Sequence, residues 1–338
     1  MWIRRDSIFI VRDALPVIAP YLTCTTSTCI VTGVTPIHKS GASDDLGNYR
    51  SISLLSVLSK ILEKVIATQL VNFLESNKLL NATQHGFRPN LSTITALTKI
   101  TNKINENMDN KKISLLTLCA LSKAFDSVSH DILLKKMHNM GIDSFFFRQY
   151  LSHRTQSVRI GDSLSSTLNV NLGVPQGSIL GQMLFTIYVN DLGIEVKDCL
   201  LVQYADDTQF ILSDSIENLP KLIRKTGETL DKVKKYFNKN GLLLNINETQ
   251  CMFIGSRTLL SRMPSDTIIH AGDTTIKPSD SLKNLGVFFD KHMLFDTHIT
   301  EMTKKAFGVL MFINRIKEFF SSKARKIVIQ TLVLSLLN

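Results

Sequence analysis

Apolar residues recur at helical spacing from about Leu54 to Leu74, with Leu58, Ile61, Leu62, Val65, Ile66 and Leu70 on one stripe. The polar stretch Asn81 to Thr93, holding Gly86 and Pro89, reads as a turn region, and Ile94 to Met108 as a second helix. Ser114 to Leu121 is a short apolar run of the kind a buried strand makes. Asp131 to Met140 is helical in pattern and ended by Gly141. Gln156–Ile160 and Leu168–Val174, around a turn at Gly161-Asp162, read as a strand pair. Ser178 to Leu192 is again helical and rich in bulky apolar residues. Leu200–Tyr204 and Thr208–Leu212 are apolar strands flanking an Ala205-Asp206-Asp207 tip. A long basic helix, Ile216 to Asn240, stops at Gly241. Short strands around Cys251–Ile254 and Leu285–Phe289 precede a helical tail from Ile299. Strands and helices mix without regular alternation, which predicts an α+β fold rather than a doubly wound one.

The chain has 338 residues, long enough for a sizeable core, and its 44% hydrophobic and 20% charged residues argue against disorder. A net charge of +10 suits a polyanionic partner such as nucleic acid. Charge alone does not identify one. No run supports a membrane span, since Gln330, Thr331 and Ser335 break the apolar end of the chain. Arg12 and Asp13 interrupt what would otherwise read as a signal peptide. Five scattered cysteines point to a reducing, intracellular compartment and not to secretion. Cys24 and Cys29, with His38 nearby, leave a zinc site open, but four residues separate the two and no second pair follows, so ordinary thiols are the first reading.

Five blocks carry candidate chemistry. In Tyr204-Ala205-Asp206-Asp207-Thr208, two adjacent carboxylates at a hairpin tip repel each other, a repulsion that a hard divalent cation such as Mg²⁺ relieves. Taken alone, ordinary turn chemistry accounts for them as well. Gly173-Val174-Pro175-Gln176-Gly177 leads into a helix capped at Ser178. It lets backbone approach a bulky ligand, with Gln176 able to meet a base or sugar edge, or it is a plain strand-to-helix connection. Leu121-Ser122-Lys123-Ala124-Phe125-Asp126 ends the strand from Ser114. Lys39 and Arg50 are cations suited to phosphate. The fifth block is Gln84-His85-Gly86-Phe87-Arg88-Pro89.

In this order and spacing the blocks strongly resemble the reverse transcriptases of non-LTR, LINE-like (jockey/CR1-type) retrotransposons, from about Val34 to Ile299. The resemblance implies a right-hand polymerase of fingers, palm and thumb, with a central antiparallel palm sheet packed on helices. It implies copying of RNA into DNA from dNTPs with two Mg²⁺ ions (or Mn²⁺), on an RNA template and a DNA primer. Asp206 would be a principal metal ligand and catalytic residue, with Asp207 its neighbour. Lys39 and Arg50 would lie near the incoming triphosphate, and Arg88 in the block shaping the template path. Gln176 and Gly177 would face the nascent base pair, and Phe125 would exclude a ribose 2′-hydroxyl. On this basis residues 1–33 form an N-terminal remnant segment, 34–292 the fingers and palm, and 293–338 a truncated helical thumb. No segment is long enough for an endonuclease domain.

Two departures bear on activity. The family's palm block begins with Asp where this chain has Ala120, so a metal-bridging carboxylate is missing. The family's Lys near the departing pyrophosphate is replaced by Glu248, which has the wrong sign for that task. Ser51 and Gln182 also stand where the family usually has Pro. Asp126 lies beyond the strand's end and is not expected to replace the lost acid. The expected function is a reverse transcriptase domain impaired in catalysis. The alternative is a non-catalytic nucleic-acid-binding remnant of the same fold, using lysines and arginines of the long helix and the tail.

Overall fold

The computed structural model describes residues 30–39, 41–152, 154–272 and 274–337. The expected segment 1–33 lies outside the described residues up to position 29, as do Cys24 and Cys29. β1 (Ile30–His38) and β2 (Tyr49–Leu54) form an antiparallel pair with Ile37 opposite Arg50. α1 (Val57–Ser76) starts at Ser56, whose side chain accepts from the Ser59 amide. It buries Ile66, Leu70 and Leu74 but exposes Leu58, Ile61 and Val65. The stripe read from the sequence is thus split, because neighbouring positions such as 65 and 66 lie about 100° apart around a helix.

α2 (Thr93–Asp109) begins with a reciprocal capping box between Ser92 and Thr95. β3 (Ile113–Ser122) follows, then α3 (His130–Asn139), capped by Ser129. α4 (Phe145–Leu151) was not visible as a helix in the sequence pattern. β4 (Arg154–Ile160) pairs in parallel with β1, from Ile30 opposite Arg154 to Val34 opposite Val158. Its expected partner Leu168–Val174 shrinks to Leu168–Asn169, after which the chain leaves for a turn with Gly173 at φ +87°. That conformation suits glycine and ends the pairing.

α5 (Ile179–Tyr188) is buried at Leu180, Gly181 and every position from Met183 to Tyr188. β5 (Leu200–Tyr204) and β6 (Asp207–Asp214) form the expected tight hairpin. α6 (Leu219–Lys239) leads to β7 (Leu243–Ile254), longer than the expected Cys251–Ile254 because a bulge absorbs its polar middle. Two small hairpins follow, β8 (Ile269–Ala271) with β9 (Thr274–Ile276), and β10 (Ser281–Asn284) with β11 (Val287–Asp290). Leu285, expected to open a strand, instead forms the β10–β11 turn with Gly286, both at positive φ. α7 (Asp296–Arg315) and α8 (Ser322–Ile329) end the described chain with a further helical stretch to residue 337.

The central sheet has the order β5-β6-β3-β7, antiparallel throughout. Leu115 pairs with Leu212 and Phe253, and this face belongs to a core with α1, α3, α5 and α6. Leu116 pairs with Ile211 and Met252, and the opposite face packs on Ala96, Ile100 and Ile104 of α2 and on the β10–β11 hairpin. Burial on both faces is why β3 reads as a mostly apolar run, with the buried Ser114 and Thr117 as its polar members.

Candidate active site

The two-residue turn Ala205-Asp206 joins β5 to β6, with Tyr204 paired to Asp207. Ala205 sits at φ +58°, a conformation unusual for a residue with a Cβ, and its surroundings hold it there. The Gln84 side chain is fully buried, and its Oε1 accepts from Ala205 N (3.1 Å) and Gly86 N (2.8 Å). Next to it the backbone pairs with β5: His85 N donates to Gln203 O and Gln203 N to Thr83 O, each at 2.8 Å. Thus Gln84 to Gly86 flank β5 at the Ala205-Asp206 turn.

Burial pushes the Asp206 carboxyl above the usual carboxylate range, opposed by its own backbone amide and by Lys39 and Arg50. Asp207 keeps access to solvent, yet desolvation and then the Asp206 charge raise it to about 6, with Arg50 opposing. Lys39 follows β1 and Arg50 lies on β2, so that hairpin brings its two cations to face the Asp pair.

Along the β3–β6 ladder the last pair is Cys119 with Thr208, so the next position on β3 is Ala120 and on β6 is Asp207. On its other side Ala120 pairs with Asn245 of β7. The missing acid is therefore missing beside the Asp pair. Between Asn245 and Gln250, β7 bulges opposite Cys119, closed by a 2.8 Å bond from Thr249 Oγ1 to Asn245 O. Glu248 is exposed on this bulge. Among the described residues, no three His, Cys, Asp or Glu side chains gather into a metal-holding set. Two adjacent, destabilised carboxyls fit a hard divalent cation, but the donor set stops at two.

The other candidates are placed as follows. Phe125 stacks on Phe185 with ring centroids 4.6 Å apart. Gly177, at φ +103°, lies against β2, where an added Cβ would come within 3.1 Å of Ser53 O. Gln176 Nε2 donates to Asp126 Oδ1 at 3.0 Å. Arg88 is engaged internally, with two 2.7 Å bonds to the Glu75 carboxylate and a 2.8 Å bond to Asn81 O. It braces the turn that carries Gln84. Asp126 is held by Ser51 and Gln176, a role the sequence reading did not assign. Glu63 was also missed; buried on α1, it accepts from Ser178 Oγ and Ile179 N at the start of α5 and from Tyr150 OH of α4.

His85 supplies a pH test of this region. Its ring is buried, with Nδ1 2.9 Å from Thr95 Oγ1, and burial followed by Lys99 and Arg88 lowers its pKa from 6.5. Below pH 6.5 the unfolded chain takes up a proton that the folded ring resists, so stability contributed by His85 falls as pH drops through that value. Urea melts from pH 7.5 to 5 should lose less stability in His85→Gln than in the parent. Equal slopes would show that the ring does not titrate this way.

The central antiparallel sheet packed on helices has the right-hand polymerase fold. Telomerase structures from Candida tropicalis share the fold: the apo form at TM-score 0.52 and 12% identity, covering 82% of this chain and 51% of that one. A second, in complex with a fragment of telomeric RNA, matches at TM-score 0.50 and 12% identity, covering 95% and 56%. Residues 37–289 match the family described as reverse transcriptase (RNA-dependent DNA polymerase), and the chain belongs to that family. It resembles the LINE-like branch. The probable RNA-directed DNA polymerase from transposon BS of Drosophila melanogaster is 29% identical over 80% of this chain and 30% of its own length. The RNA-directed DNA polymerase from mobile element jockey of the same species is 29% identical over 79% and 29%. The chain therefore spans about 30% of the length of these relatives.

Proposed function

We propose that residues 34–292 are the fingers and palm, and 293–338 part of the thumb, of an RNA-directed DNA polymerase that binds an RNA template, a DNA primer and dNTPs. The observation that carries this reading is the Asp206-Asp207 pair, raised by burial and mutual repulsion and faced by Lys39 and Arg50. Asp206 and Asp207 would hold Mg²⁺ or Mn²⁺, which when bound supplies charge neutralisation at the attacking and leaving oxygens. Lys39 and Arg50 meet the triphosphate, Phe125 walls the sugar, and Gln176 and Gly177 line the base pair. Ala120 provides no side-chain oxygen, and Glu248 puts negative charge where a leaving group departs. This copy is accordingly a poor polymerase.

The Ala120 position also favours a second reading, in which the protein binds nucleic acid without copying it. The basic helix gives it limited support, since Lys221, Lys232 and Lys239 of α6 pair with Asp214, Asp198 and Glu195. Cys119, Cys199 and Cys251 are free thiols, which fits an intracellular setting. Among the described residues no helix is long and apolar enough to cross a membrane. Both readings require primer–template binding that weakens about hundredfold from 50 to 200 mM salt, measured by fluorescence anisotropy. Binding that ignores salt would sink both; primer extension separates them.

A further inference from the structure

Three segments remote in sequence converge on one exposed carboxylate. Asp126 lies in the single turn Phe125–Ser127 after β3. Its Oδ2 accepts from Ser51 Oγ of β2 at 3.0 Å, and its Oδ1 from Gln176 Nε2 at 3.0 Å. Backbone bonds reinforce the junction. Val174 N donates to Phe125 O at 2.8 Å, and Ser53 N to Gln176 O at 2.7 Å. The fit leaves no spare room: a Cβ on Gly173 would come within 2.8–3.0 Å of the Asp126 backbone. Each segment brings one nucleotide-site residue, namely Phe125 beside Asp126, Arg50 beside Ser51, and Gln176 itself.

The chemistry of the clasp is directional. An ionised carboxylate only accepts, so it selects the Gln176 orientation with Nε2 toward Asp126 and Oε1 turned away. Ser51 adds a donor that a proline at the same place cannot supply. Each carboxylate oxygen thereby holds one partner of the clasp, Ser51 on one side and Gln176 on the other.

We propose that Asp126 is a positioning residue for the incoming nucleotide. Its carboxylate clamps β2, the Gly173–Gly177 loop and the Phe125 turn into one arrangement, and so sets nucleotide affinity and the discrimination between deoxyribose and ribose. The proposal rests on the polymerase reading above.

The test is equilibrium binding of a template-matched dNTP, and of the corresponding rNTP, to the full chain. The chain is held on an RNA template with a chain-terminated DNA primer, with Ca²⁺ present, in the parent and in an Ala120→Asp background. Asp126→Asn and Asp126→Ala should weaken dNTP binding about fivefold, the scale of one exposed charge-assisted contact, and narrow the dNTP-to-rNTP ratio. Ser51→Ala should do so to a smaller degree. Primer–template affinity and melting temperature should stay at the parent's values in all three. A dNTP-to-rNTP ratio unchanged in both Asp126 variants overturns the proposal, as does a loss of primer–template affinity equal to the loss for dNTP. If neither background binds a matched dNTP at all, the polymerase reading fails and takes the proposal with it.

Discussion

Ala120→Asp combined with Glu248→Lys should raise template-dependent dNTP incorporation by about a thousandfold or more over the unaltered chain. The register of the central sheet places the new carboxylate beside Asp207, on the strand end that already faces the Asp206 turn. On the polymerase reading proposed above, phosphoryl transfer depends on positioning and charge stabilisation, so a metal ligand restored at position 120 would return transition-state stabilisation of several kcal/mol, at ~1.4 kcal/mol per tenfold in rate. Primer extension on an RNA template with Mg²⁺ or Mn²⁺ gives the readout. Robust extension by the unaltered chain would defeat the claim that this copy is impaired. A second readout does not need turnover. Asp206 and Asp207 are already raised, Asp207 in part by its neighbour, so a third acid in the same place adds repulsion. In EDTA the Ala120→Asp protein should melt below the parent, and Mg²⁺ should raise its melting temperature more than the parent's. If Mg²⁺ shifts the two equally, position 120 does not contribute to cation binding.

The Asp pair, its two flanking strands and the gap at position 120 were legible because each is local. Adjacent acids between apolar runs, and one Ala in an otherwise matching block, need no knowledge of long-range contacts. The buried-on-both-faces character of β3 was likewise written in its short, mostly apolar run. What lies between segments was not legible. Arg88 reads as a cation near a template, yet its partner Glu75 sits on the preceding helix and only folding brings the two together. The parallel pairing of β1 with β4 joins segments more than a hundred residues apart, and neither strand announces the other. The α1 stripe illustrates the converse failure: periodicity identified the helix but not which half of its apolar surface would be covered. Asp126 was weighed only as a substitute metal ligand, because the clasp with Ser51 and Gln176 exists only across three segments.

Gln84→Leu should cost about 3 kcal/mol of stability, because it leaves the Gly86 and Ala205 amides without their buried acceptor. Gly86→Ala should cost a similar amount for a steric reason. Its Cβ would meet Ala205 N at 2.3 Å and both Ala205 Cα and Tyr204 C at 3.1 Å, all of them backbone atoms that cannot swing aside. Urea melts of the single variants check both values; a loss below about 0.5 kcal/mol, the range of neutral surface changes, would show that the contact is not structural. The stronger test is coupling. Ala205 adopts φ +58° against the preference of a residue with a Cβ, so Gln84 acts by holding a turn that would otherwise relax. Glycine takes that conformation unaided, and Gln84→Leu should therefore cost measurably less in an Ala205→Gly background. Strict additivity would mean that Gln84 contributes by satisfying the two amides and not by holding Ala205 in its strained conformation. A positive coupling would make Gln84, 121 residues from Ala205 in sequence, part of what keeps the Asp206 turn in place.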